Sequence, residues 1–361
     1  MLRRTQIGLE DQVNARSRTT VALDGMGGDH APDVVIEGAV LAARELGVGI
    51  LLVGPEQELR TRLGKDAVNL DIEIVNATQV VEMDEHPANA VRQKPDSSMV
   101  VGVRQVREGR AQAFVSAGNT GAVMAAGLFE LRRIRGVDRP ALSGVFPTRK
   151  GGCLVIDIGA NADAKPEYLA QFALMGSAYM EGVFGIKSPK VGLLSNGEEE
   201  TKGSALVQAA HPRLRALPIN FVGNVEGKEI PSGDVDVVVC DGFTGNVVLK
   251  LAEGLAGAIT GLIREEINAS LFSKLCAVGI LPAFRRVRKR LDYAEYGGAP
   301  LLGLNGVCIV AHGRSNALAI KNAVRVAAQA VESDVVGTIA RGVAQSTVAA
   351  QPEEPETASP A

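Results

Sequence analysis

Short apolar runs alternate with amphipathic stretches along most of this chain. Runs rich in Val, Ile and Leu predict strands at 20–23, 50–53, 72–75, 113–116, 153–156, 190–194, 219–222, 235–239 and 307–310. Helical spacing predicts helices at 32–46, 97–107, 121–133, 166–181, 204–210, 245–267 and 315–330. This alternation is typical of a mostly parallel sheet covered by helices on both faces. The pattern therefore predicts an α/β protein with a three-layer α/β/α sandwich.

Composition and charge narrow the classes of function. The chain has 361 residues, 46% of them hydrophobic, which suits one large or two medium domains. Its formal net charge of −3 does not favour nucleic acid, which attracts strongly basic domains. No apolar run reaches the roughly 18 residues of a membrane span. We therefore expect a cytoplasmic α/β protein that does not bind nucleic acid.

The cysteines and histidines do not form a metal-binding pattern. Cys153, Cys240, Cys276 and Cys308 are far apart, and three of them lie in or beside apolar runs. The four histidines show no metal-ligand spacing. We therefore expect buried free thiols in a reducing cytosol, no metal and no cofactor.

The two ends of the chain differ from its body. Residues 1–18 are charged and polar and lack a signal-peptide core, which predicts a disordered extension. Residues 336–361 are expected to finish a helix and continue as a disordered tail rich in Pro and Glu. The folded domain is predicted over 19–335, with a candidate sub-domain boundary near 140–152.

The most informative segment is 240–250, CDGFTGNVVLK. It follows a β-branched run and opens a long helical pattern, which predicts a strand, a tight glycine turn and a helix. Such a turn directs backbone N–H groups and a helix N-terminus at one point, which suits an anion. The candidate site residues here are Asp241, Gly242, Thr244, Gly245 and Asn246.

Two glycine turns in the N-terminal half have the same order, at 24–32 (DGMGGDHAP) and 116–121 (SAGNTG). Glycines permit close backbone approach, and a polar residue can cap the next helix while leaving N–H groups for an anion. Plain strand-to-helix turns are the alternative, and the first turn lacks the full GxGxxG spacing of a dinucleotide site. The candidate substrate contacts are Gly27, Gly28, Asp29, His30, Asn119, Thr120 and Gly121.

Two further strand ends carry lysines. Residues 157–166 (DIGANADAKP) offer Asp157, Asn161 and Lys165 for a small polar group, although Asp163 could instead pair locally with Lys165. Residues 195–203 (SNGEEETKG) offer Lys202 for a phosphate, with Glu199 in a supporting ion pair. A solvated acidic loop with Thr201 as a helix cap is the alternative. Because ligands bind beyond the carboxyl ends of strands in open α/β sheets, these turns are expected at a shared rim.

A histidine also lies at a strand end. His312 stands beside Gly313 and before Ser315, which is expected to cap the next helix. A lone histidine is as readily structural as catalytic, so both interpretations stay open.

Residues 268–292 combine apolar and basic character and are predicted to form a protruding hairpin, split by Pro282 into two short helices. Apolar and basic residues together suit an anionic membrane surface or an acidic partner protein. An ordinary hairpin with a buried face is the alternative. The candidate contact residues are Leu271, Phe272, Leu275, Ile280, Leu281, Phe284, Arg285, Arg286, Arg288, Lys289 and Arg290.

Together these motifs resemble the phosphate acyltransferase family of bacterial phospholipid synthesis. The resemblance spans 20–335 and is carried by several long motifs in the family's order. They are DGMGGDHAP at 24–32, SAGNTGAVMAAG at 116–127, GVDRPAL at 136–142, DIGANADAKPEYL at 157–169, GLLSNGEEETKG at 192–203, VVVCDGFTGNVVLK at 237–250, YGGAPLLGL at 296–304 and AHG at 311–313.

The resemblance implies an activity and partners. It implies a homodimer with a fold related to phosphotransacetylases and to isocitrate and isopropylmalate dehydrogenases. The implied reaction takes an acyl carrier protein thioester and inorganic phosphate to acyl phosphate and free carrier. The product would supply a downstream membrane glycerol-3-phosphate acyltransferase, and the enzyme would associate peripherally with the inner face of the cell membrane.

This chemistry needs positioning and charge stabilisation more than a covalent nucleophile, and the sequence offers no nucleophile elbow or Cys–His pair. The hypothesis is that Asn119, Thr120, Lys165 and Lys202 bind phosphate. His312 or Asn246 would polarise the thioester carbonyl, and Asp157 and Asp241 would orient the lysines and amides.

Three rival functions remain at this point. A phosphotransacetylase would use acyl-CoA in place of the carrier protein. An NAD(P)-linked dehydrogenase of related fold would need a magnesium-binding carboxylate cluster and an arginine clamp, which the sequence does not offer. A scaffold without catalytic activity would only bind the carrier at a membrane.

Overall fold

The computed structural model describes residues 18–65, 67–291 and 296–349, with the side chains of Leu275, Arg285, 288–291 and 347–349 left out of that description. The predictions for 1–17 and 350–361 therefore concern residues outside it. Every predicted strand is present, and two more appear. The strands are β1 (Thr20–Asp24), β2 (Gly49–Gly54), β3 (Ile72–Asn76), β4 (Ala113–Ser116), β5 (Ala141–Pro147), β6 (Gly152–Ile156), β7 (Lys190–Leu194), β8 (Asn220–Val225), β9 (Val237–Val239), β10 (Ala299–Leu302) and β11 (Val307–Val310).

Every predicted helix is also present, and the alternation of strands and helices confirms the α/β class. The helices are α1 (Asp33–Leu46), α2 (Glu56–Leu63), α3 (Pro87–Gln93), α4 (Ser98–Arg107), α5 (Thr120–Glu130), α6 (Pro166–Phe184), α7 (Ala205–Arg215), α8 (Gly242–Asn268), α9 (Leu271–Leu291), α10 (Ala317–Glu332) and α11 (Val335–Ala349), with a short 3₁₀ turn at Gly227–Glu229.

The chain divides into two compact units. The first contains residues up to Leu131 together with 296–298 and 306–332. The second contains 132–295, 299–305 and the chain from Ser333 onward. Each unit has its own strands and helices, so each is described separately.

The first unit is a parallel sheet in the order β3-β2-β1-β4-β11. The chain moves outward from β1 to β2 and returns from β3 to β4. Since crossover connections are right-handed, α1 and α4 cover opposite faces of this sheet. Helix α1 packs on α10, and α4 packs on α5. The order reverses at β1 and β4, the place where open α/β sheets bind ligands.

The second unit orders its strands β10-β5-β6-β9-β7-β8. Strands β6, β9, β7 and β8 are parallel, whereas β5 pairs antiparallel with both β10 and β6. The two antiparallel strands are those that periodicity missed, because β5 contains Gly144 and ends in Pro147, and β10 has only four residues. Helix α6 packs against both α7 and α11.

The hairpin after β9 differs from its prediction. Residues Leu271–Leu291 form one helix with Pro282 inside it, so the predicted split into two short helices is wrong. A proline removes one N–H bond, and residues 279–284 are exposed, so solvent can hydrate the carbonyl that loses its donor. The partner arm of the hairpin is α8, which contacts α9.

Helix α8 presents one long apolar face to solvent. Phe243, Val247, Leu251, Leu255, Ile259 and Leu262 recur at helical spacing, and each is at least 49% exposed. Among the described helices, α8 alone is long and apolar enough to cross a membrane, by length and composition only, with a mean hydropathy of 1.4 over 18 residues. The arrangement of its apolar residues on one face favours a partner surface over a membrane span.

Candidate active site

In the first unit, the turns after β1 and β4 meet at a buried carboxylate. Asp24 Oδ2 accepts the Ser116 hydroxyl at 2.7 Å, and Oδ1 accepts the Met26 N–H at 3.1 Å. Ser116 Oγ in turn accepts the Gly118 N–H at 3.0 Å. A Cβ at Gly27 would lie 2.7 Å from Asp24 Oδ2 and 2.8 Å from the Gly118 nitrogen. Glycine is therefore required where these two turns touch.

Asp24 is only 2% exposed, and burial raises the pKa of its carboxyl group. Hydrogen bonds from Ser98, Ser116 and the turn backbone oppose that shift. A buried, ionised Asp24 would cost free energy unless these hydrogen-bond donors stay in place. Asp24 and Ser116 were not among the predicted site residues, although both end their strands and stand directly before the glycine turns.

The turn after β11 joins the same cluster. The Asp29 N–H donates to the Gly313 carbonyl at 2.8 Å, and a Cβ at Gly28 would lie 3.1 Å from that oxygen. His312 is exposed, and its Nδ1 accepts the Arg314 N–H at 3.2 Å.

Asn119 caps α5, as one of the two predicted candidates. Its Oδ1 accepts the Ala122 N–H at 3.1 Å, while Nδ2 donates to the carbonyls of Met83 at 2.9 Å and Glu85 at 3.2 Å. The side chain is thereby committed to the helix and to the 83–85 segment. Thr120 is exposed, and within the described chain its N–H and that of Gly121 have no acceptor.

The cap of α10 differs from its prediction. Asn316, not Ser315, supplies it, because Asn316 Oδ1 accepts the Ala319 N–H at 2.9 Å. Ser315 is buried one residue earlier, and its hydroxyl has no partner among the described residues. Helix α1 begins at Asp33 after Pro32 and has no side-chain cap, so Asp29 in the preceding turn does not cap it.

In the second unit, the turn after β6 folds around Asp157, which is fully buried. Its carboxylate accepts five N–H bonds of 2.7–3.2 Å from the backbone of Leu142, Gly159, Ala160 and Asn161 and from the Asn161 side chain. Burial raises the pKa of Asp157, and these donors oppose the shift by stabilising the charged form. Asp157 therefore orders its own turn and orients the Asn161 amide.

The start of α8 lies directly on this turn. The Gly242 N–H donates to the Asn161 carbonyl at 2.8 Å, and a Cβ at Gly245 would lie 1.9 Å from the Asp157 carbonyl oxygen. Asp241 caps the helix through the Thr244 N–H at 2.9 Å and the Thr244 hydroxyl at 2.7 Å. Asn246 is exposed beside Gly159, where a Cβ would lie 3.8 Å from Asn246 Oδ1.

The two candidate lysines follow β6 and β7 at the carboxyl edge of the same sheet. Lys165 immediately precedes α6, and Lys202 ends the loop between β7 and α7. Both side chains are exposed. Within the described part of the chain, neither ammonium group has an ion pair or hydrogen bond, so the expected pairs with Asp163 and Glu199 are not formed. Both positive charges are available to an anionic ligand.

The loop that carries Lys202 is ordered by its own backbone and by β8. The Gly203 N–H donates to Asn196 Oδ1 at 2.9 Å, and the Lys202 N–H donates to the Glu199 carbonyl at 3.0 Å. Asn224 in β8 donates to that same carbonyl at 2.8 Å. The helix cap after this loop is Ser204, not Thr201.

The cysteines are unsuited to nucleophilic attack. Cys153, Cys240 and Cys308 are buried free thiols, as predicted, and Cys276 is exposed. Burial raises the pKa of Cys153 and Cys308 to about 12 and also raises that of Cys240. Since the thiolate is the reactive form, these three residues are inert at neutral pH. The described residues include no cluster of three His, Cys, Asp or Glu that could hold a metal.

Comparison with known proteins decides the family. The model of the fatty acid synthesis protein family matches residues 19–338. A phosphate acyltransferase of Desulfitobacterium hafniense is 54% identical over 330 residues, covering 91% of this chain and 99% of that protein. One from Geobacter sulfurreducens is 52% identical over 316 residues, covering 87% of this chain and 91% of that protein.

The chain belongs to the phosphate acyltransferase family. It is an acyltransferase, and phosphate is the acceptor of the acyl group. Family membership therefore favours acyl transfer over the dehydrogenase and scaffold alternatives. The resemblance carried by the sequence motifs is confirmed.

Solved structures confirm the fold. A phosphotransacetylase from Staphylococcus aureus superimposes with a TM-score of 0.61 at 19% identity, over 87% of this chain and 94% of that one. A phosphotransacetylase from Streptococcus pyogenes gives 0.60 at 18% identity, over the same 87% of this chain and 94% of its own. The three-layer α/β/α architecture with a mostly parallel sheet is thus shared with these proteins.

Each compact unit of this phosphate acyltransferase has its own set of candidate turns. The first unit brings together the turns of Gly27, Gly28, Asp29, Asn119 and His312, and the second brings together those of Asp157, Asn161, Gly242 and Asn246. Lys165 and Lys202 follow strands of the second unit. The roles of the individual residues in binding phosphate and acyl donor stay predictions.

The raised pKa of Asp24 predicts a pH-dependent stability. The folded state binds the carboxyl proton of Asp24 more tightly than the unfolded chain does. The contribution of Asp24 to the free energy of unfolding therefore falls as pH rises above about 4, and it is lowest above the folded-state pKa. The unfolding free energy of the wild type minus that of Asp24→Asn should therefore decrease from about pH 4.5 to about pH 8. Urea unfolding at a series of pH values measures this difference.

Asp96 is the matched control. Hydrogen bonds from Thr78 lower the pKa of Asp96, so its contribution is lost only as pH falls below about 4. The unfolding free energy of the wild type minus that of Asp96→Asn should stay constant over the same pH range. A constant or rising difference for Asp24→Asn would show that the pKa of Asp24 is not raised in the folded state.

Proposed function

We propose that this enzyme transfers a fatty acyl group from an acyl carrier protein thioester to inorganic phosphate, producing acyl phosphate for phospholipid synthesis. The observation that carries the proposal is the pair of exposed lysines, Lys165 and Lys202, at one edge of the second unit's sheet. In the described chain neither has an acidic partner, so both charges are available for a phosphate dianion. The named activity of the relatives supplies the acyl acceptor.

In the proposed reaction a phosphate oxygen attacks the thioester carbonyl carbon. The tetrahedral intermediate collapses, the C–S bond breaks, and the carrier leaves as a thiolate that takes a proton from solvent. Phosphate is already substantially dianionic near neutral pH, so the step does not need a strong general base. The high pKa values of the buried cysteines agree with direct attack and no acyl-enzyme intermediate.

The proposed division of labour follows from the geometry. Lys165 and Lys202, both in the second unit, would hold phosphate. Asn246, which is exposed beside Gly159 in the same unit, would donate to the developing oxyanion. Alignment of two substrates can supply roughly 7–11 kcal/mol, and one oxyanion donor about 3–4 kcal/mol.

The donor assignment has a direct test. Purified enzyme with acyl carrier protein thioester and inorganic phosphate should yield acyl phosphate, detected by mass spectrometry, and no product without phosphate. The comparator is the acyl-CoA of the same chain length, the donor of a phosphotransacetylase. Equal or faster turnover of acyl-CoA would remove the carrier-protein assignment while leaving transfer to phosphate in place.

Loss of either lysine should weaken phosphate use. Lys202→Ala and Lys165→Ala should each lower the rate of acyl phosphate formation by about 10²-fold, the effect of losing one charged donor at a reacting centre. Steady-state kinetics with phosphate varied measures it. Lys190→Ala is the control, because Lys190 begins β7 at the opposite edge of the same sheet. A rate within about twofold of wild type for Lys202→Ala would disprove its role.

The hairpin of α8 and α9 supports proposals about partners. Leu271 and Phe272 are 78% and 77% exposed, and Arg286 is exposed near the other end of α9. Apolar area of this extent needs a covering surface. We assign the exposed face of α8 to a second copy of the chain, giving a homodimer.

The basic run at 285–290 would attract the acidic carrier protein and an anionic membrane, each basic residue adding about 1 kcal/mol.

The proposed location is the cytoplasmic face of the cell membrane, where the acyl phosphate would reach a glycerol-3-phosphate acyltransferase. Replacing Arg285, Arg286, Arg288, Lys289 and Arg290 together by Gln should abolish flotation with anionic phosphatidylglycerol vesicles. Vesicles of phosphatidylcholine alone are the lipid control. Sedimentation without lipid should show a dimer for both proteins. Unchanged flotation of the variant would remove the electrostatic attraction, and a monomeric wild type would remove the homodimer.

A further inference from the structure

Asn224 is a buried amide in an unusual place. It lies near the end of β8 and is 5% exposed. Strand interiors favour β-branched and aromatic side chains, and Asn is among the residues they disfavour. Its Oδ1 has no hydrogen-bond partner among the described residues, so only the amide nitrogen is used. A buried amide oxygen without a hydrogen-bond partner costs free energy, so the presence of Asn224 here calls for an explanation.

The bond that Asn224 makes leads to Lys202. Asn224 Nδ2 donates to the Glu199 carbonyl at 2.8 Å, and the same oxygen accepts the Lys202 N–H at 3.0 Å. The Glu199 carbonyl thus links β8 to the backbone of Lys202, whose ammonium group has no ion pair within the described residues. Residues 198–202 are all exposed, so this part of the loop has little packing to hold it.

The loop around this contact is tightly constrained. A Cβ at Gly197 would lie 2.9 Å from Lys202 Cγ, so the aliphatic part of the Lys202 side chain packs directly against Gly197. The Ser195 N–H donates to the Val225 carbonyl at 2.8 Å, which fixes the start of the loop to the residue after Asn224. The start of the loop is therefore fixed by backbone pairing and its middle by the Asn224 side chain. Its far end is held by the Gly203 N–H bond to Asn196 Oδ1 at 2.9 Å and by the Gln208 amide, which donates to the Thr201 and Gly203 carbonyls at 2.8 and 3.1 Å.

We propose that Asn224 is a positioning residue that holds the Lys202 ammonium in register for phosphate. The proposal rests on the proposed function of Lys202. Asn224 does not itself contact phosphate; it acts through the Glu199 carbonyl and the Lys202 backbone. A misplacement of about 1 Å at a reacting group can cost about 10²-fold, so one such bond matters greatly.

The test removes the amide donor in two ways. Asn224→Ala deletes the side chain, and Asn224→Asp keeps its size but loses the N–H, so a folding defect in one leaves the other informative. Both should raise the dissociation constant for inorganic phosphate, measured calorimetrically without acyl donor, by about tenfold or more. The KM for phosphate should rise in parallel, with the KM for the acyl donor unchanged.

Asn220→Ala is the matched control. Asn220 begins the same strand and makes an equivalent bond, from Nδ2 to the Ser188 carbonyl at 3.1 Å, at the opposite end. Its loss should leave phosphate affinity at the wild-type value. If both variants lower the melting temperature by a similar amount and only Asn224→Ala weakens phosphate binding, the loss of affinity does not come from the loss of stability.

A double-mutant cycle separates positioning from a general structural role. In a Lys202→Ala background, Asn224→Ala should change phosphate affinity by less than about twofold, because the group it positions is absent. An undiminished effect in that background, or wild-type affinity in Asn224→Ala itself, would overturn the inference. Because the calorimetric measurement needs no acyl donor, failure of the carrier-protein assignment is seen separately, in the turnover assay.

Discussion

The turns of the second unit depend on the hydrogen bonds that converge on Asp157. Five N–H groups point at one buried carboxylate, including one from Leu142 in the neighbouring β5. An unpaired buried charge would cost several kcal/mol, so these donors hold the turn in a single shape. The same residue's carbonyl leaves no room for a side chain at Gly245. Helix α8 must therefore begin where the Asp157 turn allows it.

The first unit uses the same principle with different partners. Asp24 ends β1 as Asp157 follows β6, and both carboxyl groups are buried under glycine turns. The Ser116 hydroxyl donates a hydrogen bond to the Asp24 carboxylate. This bond between two side chains connects the turn after β1 to the turn after β4. Rigid turns suit an enzyme whose chemistry consists of aligning two substrates, because alignment is lost when the supporting turns move.

Charge is distributed unevenly around these turns. The buried carboxylates are saturated by N–H and O–H donors, whereas in the described chain the Lys165 and Lys202 ammonium groups lack acidic partners. Glu200 and Glu198, near Lys202 in sequence, pair instead with Arg215 and Lys228. Glu198 and Glu200 therefore do not form ion pairs with the lysine that follows them. This pairing agrees with the proposed role of Lys202 in binding phosphate.

Periodicity and turn chemistry were sufficient to predict the α/β class, the parallel strands and the glycine turns at strand ends, because these depend on local spacing of apolar residues and on φ preferences. The motifs were long enough to identify the family. What only the tertiary structure decided depends on neighbours distant in the chain. Examples are the antiparallel β5 and β10, Asn224 beside the Glu199 carbonyl, and the lack of an ion pair for Lys202 within the described residues. Pairing of side chains depends on which loops meet in space, and no local pattern encodes that.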